Sequence, residues 1–187
     1  VYLVELEKWN RRINLTAIRN DKDIIIKHFL DSLSYLTGFV PAPALRLLDM
    51  GAGAGFPAIP IKIAHPELGV TMVESVNKKA SFLRHIVRTL KLPEIVVADR
   101  RTGELPPSHH RIYEVVTARA FADMKAAISE GAPFLKPGGL MVLSRGPEET
   151  IDEGSVFKEG LIIEKRLDLS LPHSKDPRAI WIFLKKQ

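Results

Sequence analysis

Leu47-Leu48-Asp49-Met50 runs without a break into Gly51-Ala52-Gly53-Ala54-Gly55-Phe56-Pro57, so an apolar strand must reverse within a few residues and pass into a helix. A Cβ at the glycines would obstruct either the reversal or the approach of a ligand to the backbone. The helix that follows offers its free N–H groups to whatever occupies the turn. The spacing is Gly-x-Gly-x-Gly, not the Gly-x-Gly-x-x-Gly of dinucleotide enzymes, and no Gly-Lys-Ser/Thr follows, which excludes a Walker-type phosphate loop. Tight turns without ligands use the same residues, so context has to decide. A second apolar strand, Val70-Thr71-Met72-Val73, ends at Glu74, about the separation at which a carboxylate grips ribose hydroxyls. Glycine turn and distant acid together predict an adenosine-containing cofactor.

The pattern around this turn predicts the architecture. Leu6, Trp9 and Ile13 have helical spacing, and a second helix starts near Asp21 with Ile25, Phe29, Leu33 and Leu36 facing a core. From Leu45 strands and helices alternate: strand 45–50, helix 57–65, strand 70–74, helix 78–91, strands 95–98 and 113–117, helix 123–135, strand 140–144. Such alternation calls for right-handed crossovers and a parallel sheet covered on both faces. The last apolar runs, Leu161 to Leu167 and Ala179 to Leu184, are joined by a loop too short for a crossover helix and are expected to pair antiparallel. At 187 residues and 45% hydrophobic the chain suits one domain, with residues 1–40 as a helical cap and 41–187 as the core.

Composition excludes several kinds of chemistry. There is no cysteine, which rules out disulfides, thiolate metal sites and a cysteine nucleophile, and fits a reducing cytoplasm. No spacing argues for a metal site, no apolar run approaches the roughly 20 residues of a membrane span, and no secretory signal is visible. The chain begins at Val1 and not at methionine, so a preceding segment is expected. Between Lys78 and Arg111, eight basic residues stand against Glu94, Asp99 and Glu104, a surplus equal to the whole formal charge of +5. Arg84, Arg88 and Lys91 share one helical face; it is read either as the footprint of a phosphate-rich partner or as an ordinary solvated face.

In an open parallel sheet the ligand site lies beyond the carboxyl ends of the strands. This selects Gly51 to Phe56, Glu74, Asp99 to Thr102, Thr117 to Phe121 and Ser144-Arg145-Gly146. With Leu135-Lys136-Pro137-Gly138-Gly139 and the closing hairpin, these residues resemble a class I, Rossmann-like, S-adenosylmethionine-dependent methyltransferase. Asn14-Leu15-Thr16, His28-x-x-Asp31-Ser32, the glycine turn, Arg119-Ala120-Phe121-Ala122 and Arg178 follow one another in order. That set is similar to the glucose-inhibited division protein B family. Met50, Ala58 and Thr102 stand where this family usually has valine, glycine and glutamate.

The resemblance implies an α/β fold with a seven-stranded, mostly parallel sheet, and methyl transfer to N7 of a guanine in 16S ribosomal RNA or the small ribosomal subunit. It also implies that Gly51, Gly53, Gly55 and Phe56 line the methionine and ribose of S-adenosylmethionine, that Glu74 takes the ribose hydroxyls, and that Arg101 and Thr102 lie along the adenine. The protein is expected to act as a cytoplasmic monomer. Alternatives remain: another RNA, a small molecule or a protein as acceptor, or a catalytically silent RNA-binding factor with this fold.

The chemistry of the acceptor can be read partly by exclusion. Pyrimidine C5 methylation needs a cysteine, and exocyclic amines are served by an Asn/Asp-Pro-Pro-aromatic run that Thr117-Ala118-Arg119-Ala120-Phe121 does not provide. Guanine N7 carries an in-plane lone pair and no proton, so it needs alignment and not a general base. Arg119, at a strand end, would anchor a phosphate, bond guanine O6 or hold the cofactor carboxylate, and Arg178 would reach the same mouth or remain in solvent. Phe121 would stack on a flipped base or join the core. His28, Asp31, Ser32 and Tyr35 form a polar stripe, read as a His28 to Asp31 hydrogen bond bracing the cap on the sheet.

Overall fold

The computed structural model describes residues 1–119, 123–174 and 176–187. Seven strands form one sheet in the order β3-β2-β1-β4-β5-β7-β6. They are β1 (Arg46–Met50), β2 (Gly69–Val73), β3 (Ile95–Ala98), β4 (Tyr113–Arg119), β5 (Leu135–Arg145), β6 (Leu161–Ser170) and β7 (Pro177–Lys185). Strands β1 to β5 pair parallel, and β7 runs antiparallel between β5 and β6. The chain builds outward from β1 to β3, then returns to lay β4 on the other side of β1. The β1/β4 junction is therefore a topological switch point, where open α/β sheets carry their ligands.

Alternation along the strands explains why both faces are covered. Leu47 belongs to a core shared with α1 (Tyr2–Asn10), α4 (Ala58–Ala64) and α5 (Asn77–Thr89), whereas Leu48 and Met50 face α6 (Met124–Gly131) and α7 (Glu153–Lys158). The expected fold class is the one found: an α/β, Rossmann-like sheet with an antiparallel C-terminal hairpin and helices on both sides. One helix was not anticipated. Helix α7 starts where the Asp152 side chain accepts the Ser155 N–H and ends at Gly160 with φ +70°.

The second N-terminal helix corrects the sequence reading. It runs through α2 (Asp21–Ile24), a π-helical stretch (Ile25–Leu30) and α3 (Asp31–Ser34). The wider π turn shifts the phase of the helix, so Ile25 is 44% exposed while Ile24, Ile26, Asp31, Ser32 and Tyr35 are buried. Phe29 and Leu36 pack on the core as expected, Ile25 does not, and Asp31, Ser32 and Tyr35 of the polar stripe are buried with them. Tyr35 donates to the Ala118 carbonyl at 3.1 Å, which fastens this helix to the end of β4. The first helix is also shorter than its apolar spacing implied: Ile13 lies past the end of α1.

Candidate active site

The glycine turn divides its residues between two surroundings. Gly51, Gly53 and Gly55 all have positive φ (64°, 57° and 91°), a region that costs other residues roughly 1–2 kcal/mol. Gly51 opens on a groove of about 220 Å³ shared with Ser75, Arg100, Arg101 and Thr102. Glu74, 5% exposed, binds the turn from below: Oε2 accepts the Gly53 N–H and Oε1 the Val76 N–H, both at 2.8 Å. Gly51, Arg101 and Thr102 therefore line one groove, and Gly53 and Glu74 are bonded to each other next to it in the chain.

Gly55 and Phe56 instead pack beneath the N-terminal cap. Tyr2 donates its hydroxyl to the Ala54 carbonyl, and its ring stacks on Phe56 at 5.4 Å. His28 stacks on the same ring at 4.8 Å, and Phe29 meets it edge-on. A Cβ on Gly55 would come within 2.5 Å of Ile59 and 2.6 Å of the Tyr2 hydroxyl, whereas one on Gly53 meets nothing nearer than the Gly51 carbonyl at 3.8 Å. Gly55→Ala is expected to lose more than about 2 kcal/mol of stability and Gly53→Ala about 1. Urea unfolding checks this order, and an equal loss at both sites would contradict the packing described here.

At the end of β1, Asp49 is fully buried. Its Oδ1 accepts the Thr117 hydroxyl at 2.9 Å, and its Oδ2 has no hydrogen-bond partner. Burial pushes this carboxyl up to about 7, against the pull of the Thr117 hydroxyl, the nearby Ala58 N–H and the Arg119 charge. The native state thus keeps a proton that the unfolded chain releases near pH 4, so stability falls as pH rises from about 4 to 7 and stays low above it. Asp49→Asn should raise the melting temperature by several degrees at pH 8 and leave it nearly unchanged at pH 4. A thermal melt at both values checks it; an equal shift at each would sink the assignment. Comparison with the variant is needed because His28, held at about 4 by burial and by the Arg119 charge, has the opposite slope between pH 6.5 and 4.

The polar stripe of the cap meets the sheet here. Asp31, 2% exposed, pairs through Oδ2 with Arg119 at 3.0 Å and through Oδ1 with Arg178 at 3.2 Å. Its burial outweighs both guanidiniums and holds the carboxyl above its ordinary range. The expected bond between His28 and Asp31 is not formed. His28 Nε2 meets the Thr16 hydroxyl at 2.7 Å instead, and the carboxylate is taken by cations from β4 and β7. Arg119 also donates to the Lys27 carbonyl and lies 5.9 Å from the Phe56 ring centre, while its Nη1 is buried with no partner.

Beyond these residues a second cleft of about 810 Å³ opens at the ends of β4, β5 and β7, lined by Asp31, Arg119, Lys125, Arg145 and Arg178 among others. Both arginines singled out from the sequence therefore share one mouth. Arg145, with its Nε 3.4 Å from Glu149, was marked only as part of a strand end. The basic segment behaves differently: Arg84 pairs with Asp99 at 3.2 Å, and of its eight cations only Arg100 and Arg101 line either opening. Phe121, with Ala120 and Ala122, lies outside the described residues.

Comparison with known proteins places the chain in a family. Proteins called ribosomal RNA small subunit methyltransferase G from Roseiflexus castenholzii and Streptococcus pneumoniae are 46% and 37% identical over 147 and 196 residues, covering 78% and 100% of this chain. The matches span 62% of the Roseiflexus protein, 63% of its Chloroflexus aggregans counterpart and 81% of the Streptococcus one, so the chain covers under two thirds of the first two relatives. Among solved structures, the [4+2]-cyclase SpnF superposes with a TM-score of 0.68 and P. horikoshii TYW2, in complex with MeSAdo, with 0.66, each at 15% identity. Both cover 84% of this chain, and 80% and 61% of their own; they establish the fold. The model of the GidB family, rRNA small subunit methyltransferase G, matches residues 1–181, and the chain belongs to that family.

Proposed function

We propose that this protein transfers a methyl group from S-adenosylmethionine to N7 of a guanine in 16S ribosomal RNA. Family membership carries the reading, and the site supports it. Two orphaned buried atoms fit the amino-acid end of the cofactor: Asp49 Oδ2 suits an ammonium, and Arg119 Nη1 suits a carboxylate. Gly51 and Gly53 offer exposed backbone, Glu74 retains lone pairs for ribose hydroxyls, and Arg101 and Thr102 border the groove where a planar base would lie. When bound, S-adenosylmethionine supplies an electrophilic methyl group on a sulfonium.

The chain's own residues then have only to align and to exclude water. N7 carries no proton, so no general base is required, and positioning of this kind supplies several kcal/mol. Arg119 and Arg178, in the wide cleft, would hold one anion there, the carboxylate of the cofactor or a phosphate of the RNA. No helix among the described residues is long and apolar enough to cross a membrane, and we place the activity in the cytoplasm, with the protein acting as a monomer.

Incubating the protein with tritiated S-adenosylmethionine and small ribosomal subunits, deproteinised 16S RNA or small-molecule acceptors tests the reading. Label should enter RNA and convert one guanine to a 7-methylguanine whose chain cleaves after reduction and aniline treatment. Label confined to small acceptors, or RNA labelled without such cleavage, would refute it.

A further inference from the structure

Arg119 and Arg178 come from different strands, β4 and β7, yet one buried carboxylate from the N-terminal helices faces them both. Two permanent cations against one anion leave a single positive charge on this triad, while the rest of the cleft wall sets Lys125 and Arg145 against Asp123, Glu149 and Asp152, with Arg145 and Glu149 paired at 3.4 Å. The adjoining Lys27–Asp176 pair, at 3.2 Å, cancels itself and leaves that count unchanged. All three residues line the wide cleft, and Arg119 Nη1 adds a buried donor without an acceptor. Without Asp31 the two guanidiniums would repel each other in a partly dry site; with it, each is held in a fixed direction.

We propose that Asp31 is a positioning residue that aims Arg119 and Arg178 as a cradle for one monoanion. The proposal rests on the methyl-transfer reading, which supplies two anions of the right charge: a phosphodiester of the RNA and the α-carboxylate of the cofactor. A second carboxylate would saturate the cradle. Removing the first would free both arginines to point elsewhere.

Asp31→Asn keeps the shape and removes the charge. The measurements are the S-adenosylmethionine dissociation constant by calorimetry, and kcat and KM for methyl transfer to small ribosomal subunits across a salt series, all corrected for folded fraction. If the anion is a phosphodiester, kcat falls at least tenfold, KM for the subunit does not rise at low salt, and its salt dependence steepens by about one ion. If it is the cofactor carboxylate, the dissociation constant changes at least fivefold and KM for the subunit holds. Either result supports the cradle, and Asp31→Glu, which restores the charge, should recover the altered quantity in part. Values all within twofold of the parent, or losses that track the folded fraction alone, would overturn it. Should Asp31→Asn not fold, Arg178→Gln leaves the Asp31–Arg119 pair in place. It should make the salt dependence shallower by about one ion or weaken cofactor binding fivefold, and neither change would equally overturn the proposal.

Discussion

Replacing Arg119 with alanine is expected to lower methyl-transfer turnover at least tenfold, about 1.4 kcal/mol, and to destabilise the fold as well. The guanidinium pairs with Asp31 at 3.0 Å, donates to the Lys27 carbonyl and lies over Phe56. Deleting it leaves a carboxylate that is 2% exposed with Arg178 as its remaining partner. Breaking a buried pair from one side costs on the order of 3–5 kcal/mol, and the surviving arginine places this case near the lower end. Arg119→Lys separates the two effects. A lysine keeps a cation beside Asp31 but loses the planar fork, so stability should recover more fully than turnover. Urea unfolding and single-turnover kinetics, corrected for folded fraction, measure both. Unchanged turnover in the folded Arg119→Ala protein would reduce this residue to a brace.

Glu74→Ala is expected to weaken S-adenosylmethionine binding at least tenfold, about 1.4 kcal/mol, with a smaller change in turnover at saturating cofactor. Each oxygen of this carboxylate accepts a backbone N–H, from Gly53 and from Val76, at 2.8 Å. Its loss leaves both donors without that acceptor, at roughly 1–3 kcal/mol for each one that stays buried, and frees a glycine held at φ +57°. The groove would lose its shape as well as the carboxylate we propose for the ribose. Glu74→Gln, which keeps one accepting oxygen, should fall between the two. Calorimetry measures the affinity, and a value within twofold of the parent protein would remove Glu74 from the cofactor site.

The parts of this site that were legible in the sequence are those set by local pattern. A strand entering three alternate glycines and an acid closing the next strand have few structural solutions, and the groove lined by Gly51, Arg101 and Thr102 is one of them. The antiparallel hairpin followed from a loop too short to cross over. The second helix was misjudged for a local reason: a π turn cannot be read from apolar spacing, and it rotates Ile25 outward and Asp31 inward. Asp31 was then given His28, its neighbour three residues away, because sequence shows helical neighbours and not residues brought in by the sheet. Its partners lie at positions 119 and 178, which only the strand order reveals. The separation of Gly55 and Phe56 from the groove was equally hidden, since it depends on Tyr2 reaching the turn from a helix more than fifty residues earlier.

The meeting of Asp31 with Arg178, 147 residues apart in sequence, bears on how the protein is made. During synthesis the glycine turn and its first strands emerge early, while the cleft lacks Arg178, one of its three arginines, until β7 has left the ribosome. Strand β7, which brings Arg178 to the cap, lies between β5 and β6. The residues of the groove all precede position 131, so they are synthesised well before the mouth is complete.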